Sequence, residues 1–188
     1  MAIGTIILWI ILAVVVIFLI WLVAVYNGFI VLRNRIQEAS SQIEVQLKRR
    51  YDLIPNLIES VKGYMKHERD TLTEITKART SMMNAGSLKD KMRINDGLTG
   101  ALKTIFAVAE SYPNLKASEN FMNLQEELSG TENKIAFSRQ FFNENVLSYN
   151  NSRQSFPGNI LASMFNFKEK YDFFEAEQAA KQNVKVKF

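Results

Sequence analysis

A chain of 188 residues with 23 basic and 19 acidic side chains has a formal charge of only +4. So slight an excess, interleaved with acidic neighbours, is not the dense basic stripe of a nucleic-acid-binding surface and reads as a solvated mixed-charge exterior. There is no cysteine, which excludes disulfides, thiolate metal sites, a cysteine nucleophile and a lipidated-cysteine anchor.

The first predicted element is a membrane span. Residues 3–25 contain no charged side chain, and as a helix they would be ~35 Å long, enough to cross a hydrocarbon core of ~30 Å with some tilt. A helix satisfies every backbone polar group within the segment, as lipid requires. Trp21 and Tyr26 lie near one end, at headgroup level. A cleaved signal peptide is the competing reading. It lacks its basic n-region and its A-x-A site here, and the apolar run is too long. Basic residues follow the span (Arg33, Arg35) and none precedes it, so the positive-inside rule puts the N-terminus outside and residues 27–188 in the cytoplasm as one helical domain.

Beyond the span, Leu32, Ile36, Ala39, Ile43, Leu47, Ile54, Ile58, Val61 and Met65 keep helical spacing, so the membrane helix is expected to run on into the domain. Gly28 is a weak point in it. Pro55 predicts a kink, or a restart capped by Asp52. A second helix is expected over 68–83, with Leu72, Ile75, Arg79 and Met82 on one face. A third opens on the capping box of Ser87 and Asp90 and ends at Pro113. Its Gly97 and Gly100 either permit close approach of a neighbour or are simply tolerated. A fourth runs from Ser118 to about residue 150. Phe121, Leu124, Leu128, Thr131, Ile135, Ser138, Phe142, Val146 and Tyr149 form the stripe that an antiparallel bundle buries. The asparagine-rich run 143–151 is read as its cap. After Phe156-Pro157-Gly158 the apolar Ile160, Leu161, Met164, Phe165 and Phe167 are expected as a short helix folded back on the bundle. The tail 184–188 alternates and is read as extended. The expected fold is therefore all-α: a transmembrane helix continuing into an antiparallel bundle of about four helices, with a short C-terminal fold-back.

Chemistry is hard to place on this frame. The single His67 precedes Glu68, but Thr71 stands where a zincin needs its second histidine. No glycine-rich phosphate loop follows a strand, and the carboxylates alternate with lysine and arginine. No catalytic, cofactor or metal site is expected. Two basic features stand out. Arg33 and Arg35 are candidate contacts to anionic headgroups. Lys48-Arg49-Arg50-Tyr51-Asp52 would lie ~35–40 Å beyond the bilayer along an unbroken helix, too far for lipid at physiological salt. They are candidate subunit or partner contacts.

Tyr26-Asn27, Arg33-Asn34-Arg35, the run SQIEVQLKRRYDLIPNLIE at 41–59, Val61-Lys62-Gly63-Tyr64 and His67-Glu68 resemble the LemA family of bacterial membrane proteins. The likeness continues through Tyr112-Pro113, Thr131-Glu132-Asn133-Lys134-Ile135-Ala136, Arg139, Phe142-Asn143, Tyr149-Asn150, Phe156-Pro157, Phe165 and Phe167. The resemblance implies one N-terminal transmembrane helix, a short outer N-terminus and an antiparallel bundle, and brings no catalytic residue. Ser40 stands where the family often has tryptophan, Glu44 where it has aspartate and Asn183 where it has proline. The expected function is a non-catalytic membrane scaffold working by helix-mediated homo-oligomerisation, with the bilayer and a membrane protein as further partners. The alternatives are an adaptor of a membrane protease or envelope-stress system, and a ligand-binding protein or hydrolase with an enclosed polar pocket.

Overall fold

The computed structural model describes residues 2–65, 68–167 and 169–175. His67, Asn183 and the tail 184–188 lie outside the described residues. Among the described residues there are six helices and no strand: α1 (Ala2–Lys62), α2 (Arg69–Asn84), α3 (Leu88–Ala109), α4 (Pro113–Lys116), α5 (Glu119–Gln154) and α6 (Gly158–Met164). The all-α expectation holds.

Neither suspected break in α1 occurs. The helix passes through Gly28 and Pro55 without interruption. Pro55 is exposed, while Ile54 and Leu57 beside it are fully buried, so packing of its neighbours carries the helix across the missing N–H. Asp52 does not cap a restart. It sits in the helix and pairs with Lys48 one turn back at 2.6 Å.

The chain packs as two compact units, one of Met1–Glu38 with Phe141–Phe173, the other of Ala39–Gln140 with Phe174–Phe188. The second unit is the helical bundle. Its apolar interior takes Ile54, Leu57, Val61 and Met65 from α1 and its end, Ile75 from α2, Leu98, Leu102 and Ile105 from α3, Leu115 from α4, and Phe121 and Leu128 from α5. Ile54, Val61, Met65, Ile75, Phe121 and Leu128 lie on the stripes read from the sequence, whereas Ile58 and Leu72 are only partly buried and Leu57, Leu102 and Leu115 join the core without having been read into it. Ser87 caps α3 as a box: its Oγ accepts from the Asp90 N–H at 3.1 Å and donates to the Asp90 carboxylate at 2.7 Å. Pro113 is not the end of α3, which stops at Ala109. It is the first residue of α4, where its missing N–H would have no helical partner anyway. A methyl added at Gly97 or Gly100 would meet nothing within 4 Å, so close approach is not what keeps glycine there.

The first unit holds the apolar start of α1, the end of α5 and α6. Every residue from 3 to 20 is exposed, and α1 is the described helix long and apolar enough to cross a membrane. Just past this stretch α1 is gripped by rings. Phe29 stacks on Phe167 (centroids 4.9 Å) and meets Tyr149 edge-on at 5.8 Å. Tyr26 touches Phe165 at 5.1 Å and Phe167 at 5.6 Å, and Tyr149 meets Tyr171 at 5.1 Å. The turn that delivers Phe165 and Phe167 follows from one residue. Asn166 takes φ 61°, a left-handed conformation asparagine tolerates, and Phe167 N–H closes on the Ala162 carbonyl at 2.8 Å in a Schellman-type cap. Gly158 is required by space, since a Cβ there would lie 2.2 Å from the Ser152 carbonyl oxygen.

Candidate functional site

The five residues 48–52 do not share one surface. Lys48, Arg49 and Asp52 are exposed and Tyr51 is half-buried, but Arg50 is 3% exposed and points into the bundle. Helical geometry explains the split, because consecutive residues sit about 100° apart around the axis. Arg50 falls in the same row as Leu47, Ile54 and Leu57. It therefore leaves the candidate contact set and becomes the centre of a buried polar layer.

That layer joins three helices. The Arg50 guanidinium donates to Asn95 Oδ1 at 2.8 Å and to Thr99 Oγ1 at 3.1 Å on α3, and forms an ion pair with Glu132 on α5. The Thr99 hydroxyl in turn donates a hydrogen bond to the Glu132 carboxylate at 3.0 Å. Asn95 and Thr99 are buried polar side chains that would be costly without partners, and the arginine fork supplies them. Two turns along α5 the nearly buried Arg139 repeats the device, reaching Asp96 of α3 at 2.8 Å and the Glu175 carbonyl at 3.5 Å. Sequence reasoning placed Arg50 on a surface and passed over Arg139 and Glu132. The available signal was that both positions interrupt, or lie beside, an otherwise apolar stripe.

Around this layer the surface is knitted by ion pairs: Arg49 to Glu127 at 2.5 Å, and Glu44 to Lys91 at 2.8 Å. Hydrogen-bonding to Asp52, then its charge, raises the ammonium pKa of Lys48 above the ordinary lysine value. Arg49 and Glu127 lie beside two shallow polar grooves along α1 and α5. One, of about 500 Å³, is lined by Asn56, Glu59, Ser60, Asn120, Asn123, Leu124 and Glu127. The other, of about 470 Å³, is lined by Arg49, Asn123, Glu126, Glu127, Gly130, Thr131 and Lys134. Both are open to solvent. The enclosed polar pocket that a hydrolase or ligand-binding reading requires is not what these grooves provide. Among the described residues no group of three His, Cys, Asp or Glu is placed to hold a metal ion.

In the first unit Arg33 and Arg35 are both exposed on α1, seven and nine residues beyond Tyr26. The asparagine run does not end α5, which continues to Gln154. Asn145 bonds back to the Phe141 carbonyl at 2.7 Å, and the buried Asn150 holds the Tyr171 carbonyl at 2.9 Å. Its role is to tie down the segment after α6, not to cap. Burial, and then the nearby Glu169 carboxylate, push the Tyr149 and Tyr171 phenols above the ordinary tyrosine pKa.

Residues 39–188, which include every member of the arginine layer, match the model of the LemA family. The chain belongs to the LemA family. Protein LemA of Metamycoplasma hominis is 33% identical over 69% of this chain and 60% of its own length. Magnetosome protein MamQ of Magnetospirillum gryphiswaldense is 24% identical over 80% of this chain and 65% of its own. Magnetosome protein MamQ 2 of Paramagnetospirillum magneticum is 25% identical over 88% of this chain and 70% of its own. The chain thus spans less than two thirds of the length of the first two relatives. Membership makes this a membrane-associated LemA-family protein, and the residues the family resemblance rested on now have places. Arg50, Glu132 and Arg139 are the charged layers, while Tyr149, Phe165 and Phe167 are the rings around α1.

Proposed function

We propose that this LemA-family protein is a non-catalytic scaffold, anchored through the membrane by α1, that works by helix-mediated assembly with further copies of itself. The observation that carries the reading is apolar exposure on the two long helices of the bundle unit. Val45 on α1 and Phe137 on α5 are 61% and 68% exposed, and large apolar groups held in water on rigid elements favour a protein contact. The Arg49–Glu127 pair, with the groove that brings Asn56 and Ser60 of α1 beside Asn120 and Leu124 of α5, sets the two helices antiparallel. In that register Phe137 falls near the level of Ser41, one turn from Val45. Continuity of α1 supports the same reading, since the anchor and the first helix of the bundle are one helix. Lys48 and Arg49 remain candidate polar contacts at the rim, with the bundle on the cytoplasmic side.

The absence of native cysteine makes the test clean. Val45→Cys and Phe137→Cys proteins in native membranes are treated with a bismaleimide. An adduct at twice the chain mass is expected from each, and not from Lys103→Cys on α3. A strictly monomeric particle in detergent, with no adduct in membranes, overturns the scaffold. Adducts only to a different protein would favour the adaptor. Cleavage of the bundle by protease added to intact cells would reverse the orientation.

A further inference from the structure

The segment around α6 departs from its expected role in one respect. It folds back, and Leu161 and Phe167 are buried, but Phe156, Ile160, Met164 and Phe165 point outward. Phe156 is 80% and Met164 67% exposed. The stretch 155–167 contains thirteen residues and no charge. An uncharged segment that buries one side and turns its largest apolar groups outward is poorly matched to water.

Its position within the first unit says what it matches. Phe165 sits against Tyr26, the residue just past the apolar run 3–25 of α1. Phe167 is stacked on Phe29 one turn further on. The exposed edge of α6 is therefore level with the point where α1 leaves the hydrocarbon. Rings with one apolar side and one wet side collect at that depth. Arg33 and Arg35 follow on α1 about 10–14 Å beyond Tyr26, within reach of headgroup phosphates by extension of their stems.

We propose that residues 156–165 are a second membrane contact, an interfacial hook lying in the leaflet beside the exit of α1. The occupant is the lipid bilayer, because the apolar edge is continuous through Tyr26 with the surface of the span itself. The hook lies in the interface and does not cross, since α6 has seven residues where a spanning helix needs about twenty. It would fix the rotation and tilt of α1, which one helix in lipid leaves free. The proposal rests on α1 being a span, and the experiment separates the two.

Full-length protein carrying single cysteines is labelled with an environment-sensitive fluorophore and placed in vesicles of phosphatidylethanolamine and phosphatidylglycerol. Quenchers are lipids bearing nitroxides at shallow or deep positions, and aqueous iodide. Ile17→Cys reports the span and Lys103→Cys reports water. Labels at Ile160→Cys and Met164→Cys are expected to emit to the blue of Lys103 and to be quenched more by shallow than by deep nitroxides. Ile17 should show the reverse order. If Ile17 is quenched but positions 160 and 164 respond only to iodide, the hook is overturned and the span stands. Shielding from iodide without lipid quenching assigns the patch to a second copy and also overturns it. An Ile17 label that no lipid quenches overturns the span. Both hook positions are exposed, so the label leaves the packing of Leu161 and Phe167 in place. An unchanged melting temperature checks this.

Discussion

Two adjacent arginines on α1 should differ sharply in what their ion pairs contribute. Arg49 and Glu127 are each about half exposed, with side chains at 49% and 48%. A pair in that setting contributes roughly 0.2–1 kcal/mol, so Glu127→Ala should be nearly silent. Glu132 is only 24% exposed, and its partner Arg50 is 4% exposed in the side chain. Removing one member of a buried pair leaves an uncompensated charge and costs about 3–5 kcal/mol. Because Glu132 still touches solvent, we expect Glu132→Ala to cost about 2–4 kcal/mol. For a domain of this size that is a fall of about 4–16 °C in melting temperature. The measurement is thermal unfolding of the full chain in detergent, followed by helical circular dichroism, for both variants and for Arg50→Met. Arg50→Met with Glu132→Ala should lose less than the sum of the singles, because the two share one interaction. Asn95 would still lack the arginine proton it accepts, so rescue should be partial. Equal losses for Glu127→Ala and Glu132→Ala, or strict additivity in the Arg50–Glu132 cycle, would refute the buried-layer argument.

Three further outcomes follow from local structure. Gly97→Ala and Gly100→Ala should each stabilise α3 by roughly 0.5–1 kcal/mol, since the methyl meets open space and the glycine entropy cost is removed; a loss in melting temperature would mean a neighbour approaches there. Ser87→Ala should cost about 1 kcal/mol by removing the α3 cap, while Ser87→Thr, which keeps the hydroxyl that both accepts from and donates to Asp90, should restore most of it. Tyr149 and Tyr171 have folded pKa values above the unfolded one near 10.0. Their contribution is therefore fully present below pH 10 and is lost as pH rises through the folded values. Absorbance at 295 nm should show late-titrating phenols, Tyr112 among them, of which Tyr149→Phe and Tyr171→Phe each remove one, and the double variant should resist alkaline unfolding better than the native chain.

Most of the fold was legible because apolar period is a strong signal and this chain keeps it over long helices. Of the stripe read from Phe121 to Tyr149, Phe121, Leu128, Thr131, Ile135, Ser138, Phe142, Val146 and Tyr149 are buried and Leu124 is half-buried. Pro55 was misread because local propensity was weighed without the burial of Ile54 and Leu57 that overrides it. Arg50 was misread for a related reason: a basic triplet looks like a surface, and its inward member can be told only by tracking the helical row it occupies. Asn95, Thr99 and Glu132 are ordinary polar residues in isolation, and only three-dimensional convergence makes them a layer. At α6 the composition was legible, but which of its apolar groups face inward was not. That division depends on Asn166 turning the chain, and on Gly158 allowing contact with Ser152.

The two units hold α1 by different chemistry, and the difference follows from where each grips it. In the bundle unit the helix is fastened by Arg49, Arg50 and Glu44 to partners on α3 and α5. In the unit that carries the apolar run it is fastened by Phe29 and Tyr26 to Tyr149, Phe165 and Phe167. Charged partners beside hydrocarbon would bear a desolvation cost of several kcal/mol per ion, which a surface-like geometry does not recover. Ring contacts bear no such cost, and their polar tips can remain wet. A reversal of the two devices would fail at both sites. With α1 spanning the bilayer as proposed, arginine pairs at the level of Phe29 would draw water to the edge of the span. Rings alone at the level of Arg50 would leave Asn95 and Thr99 buried without partners, and would relax the register that the forked hydrogen bonds set between α1, α3 and α5.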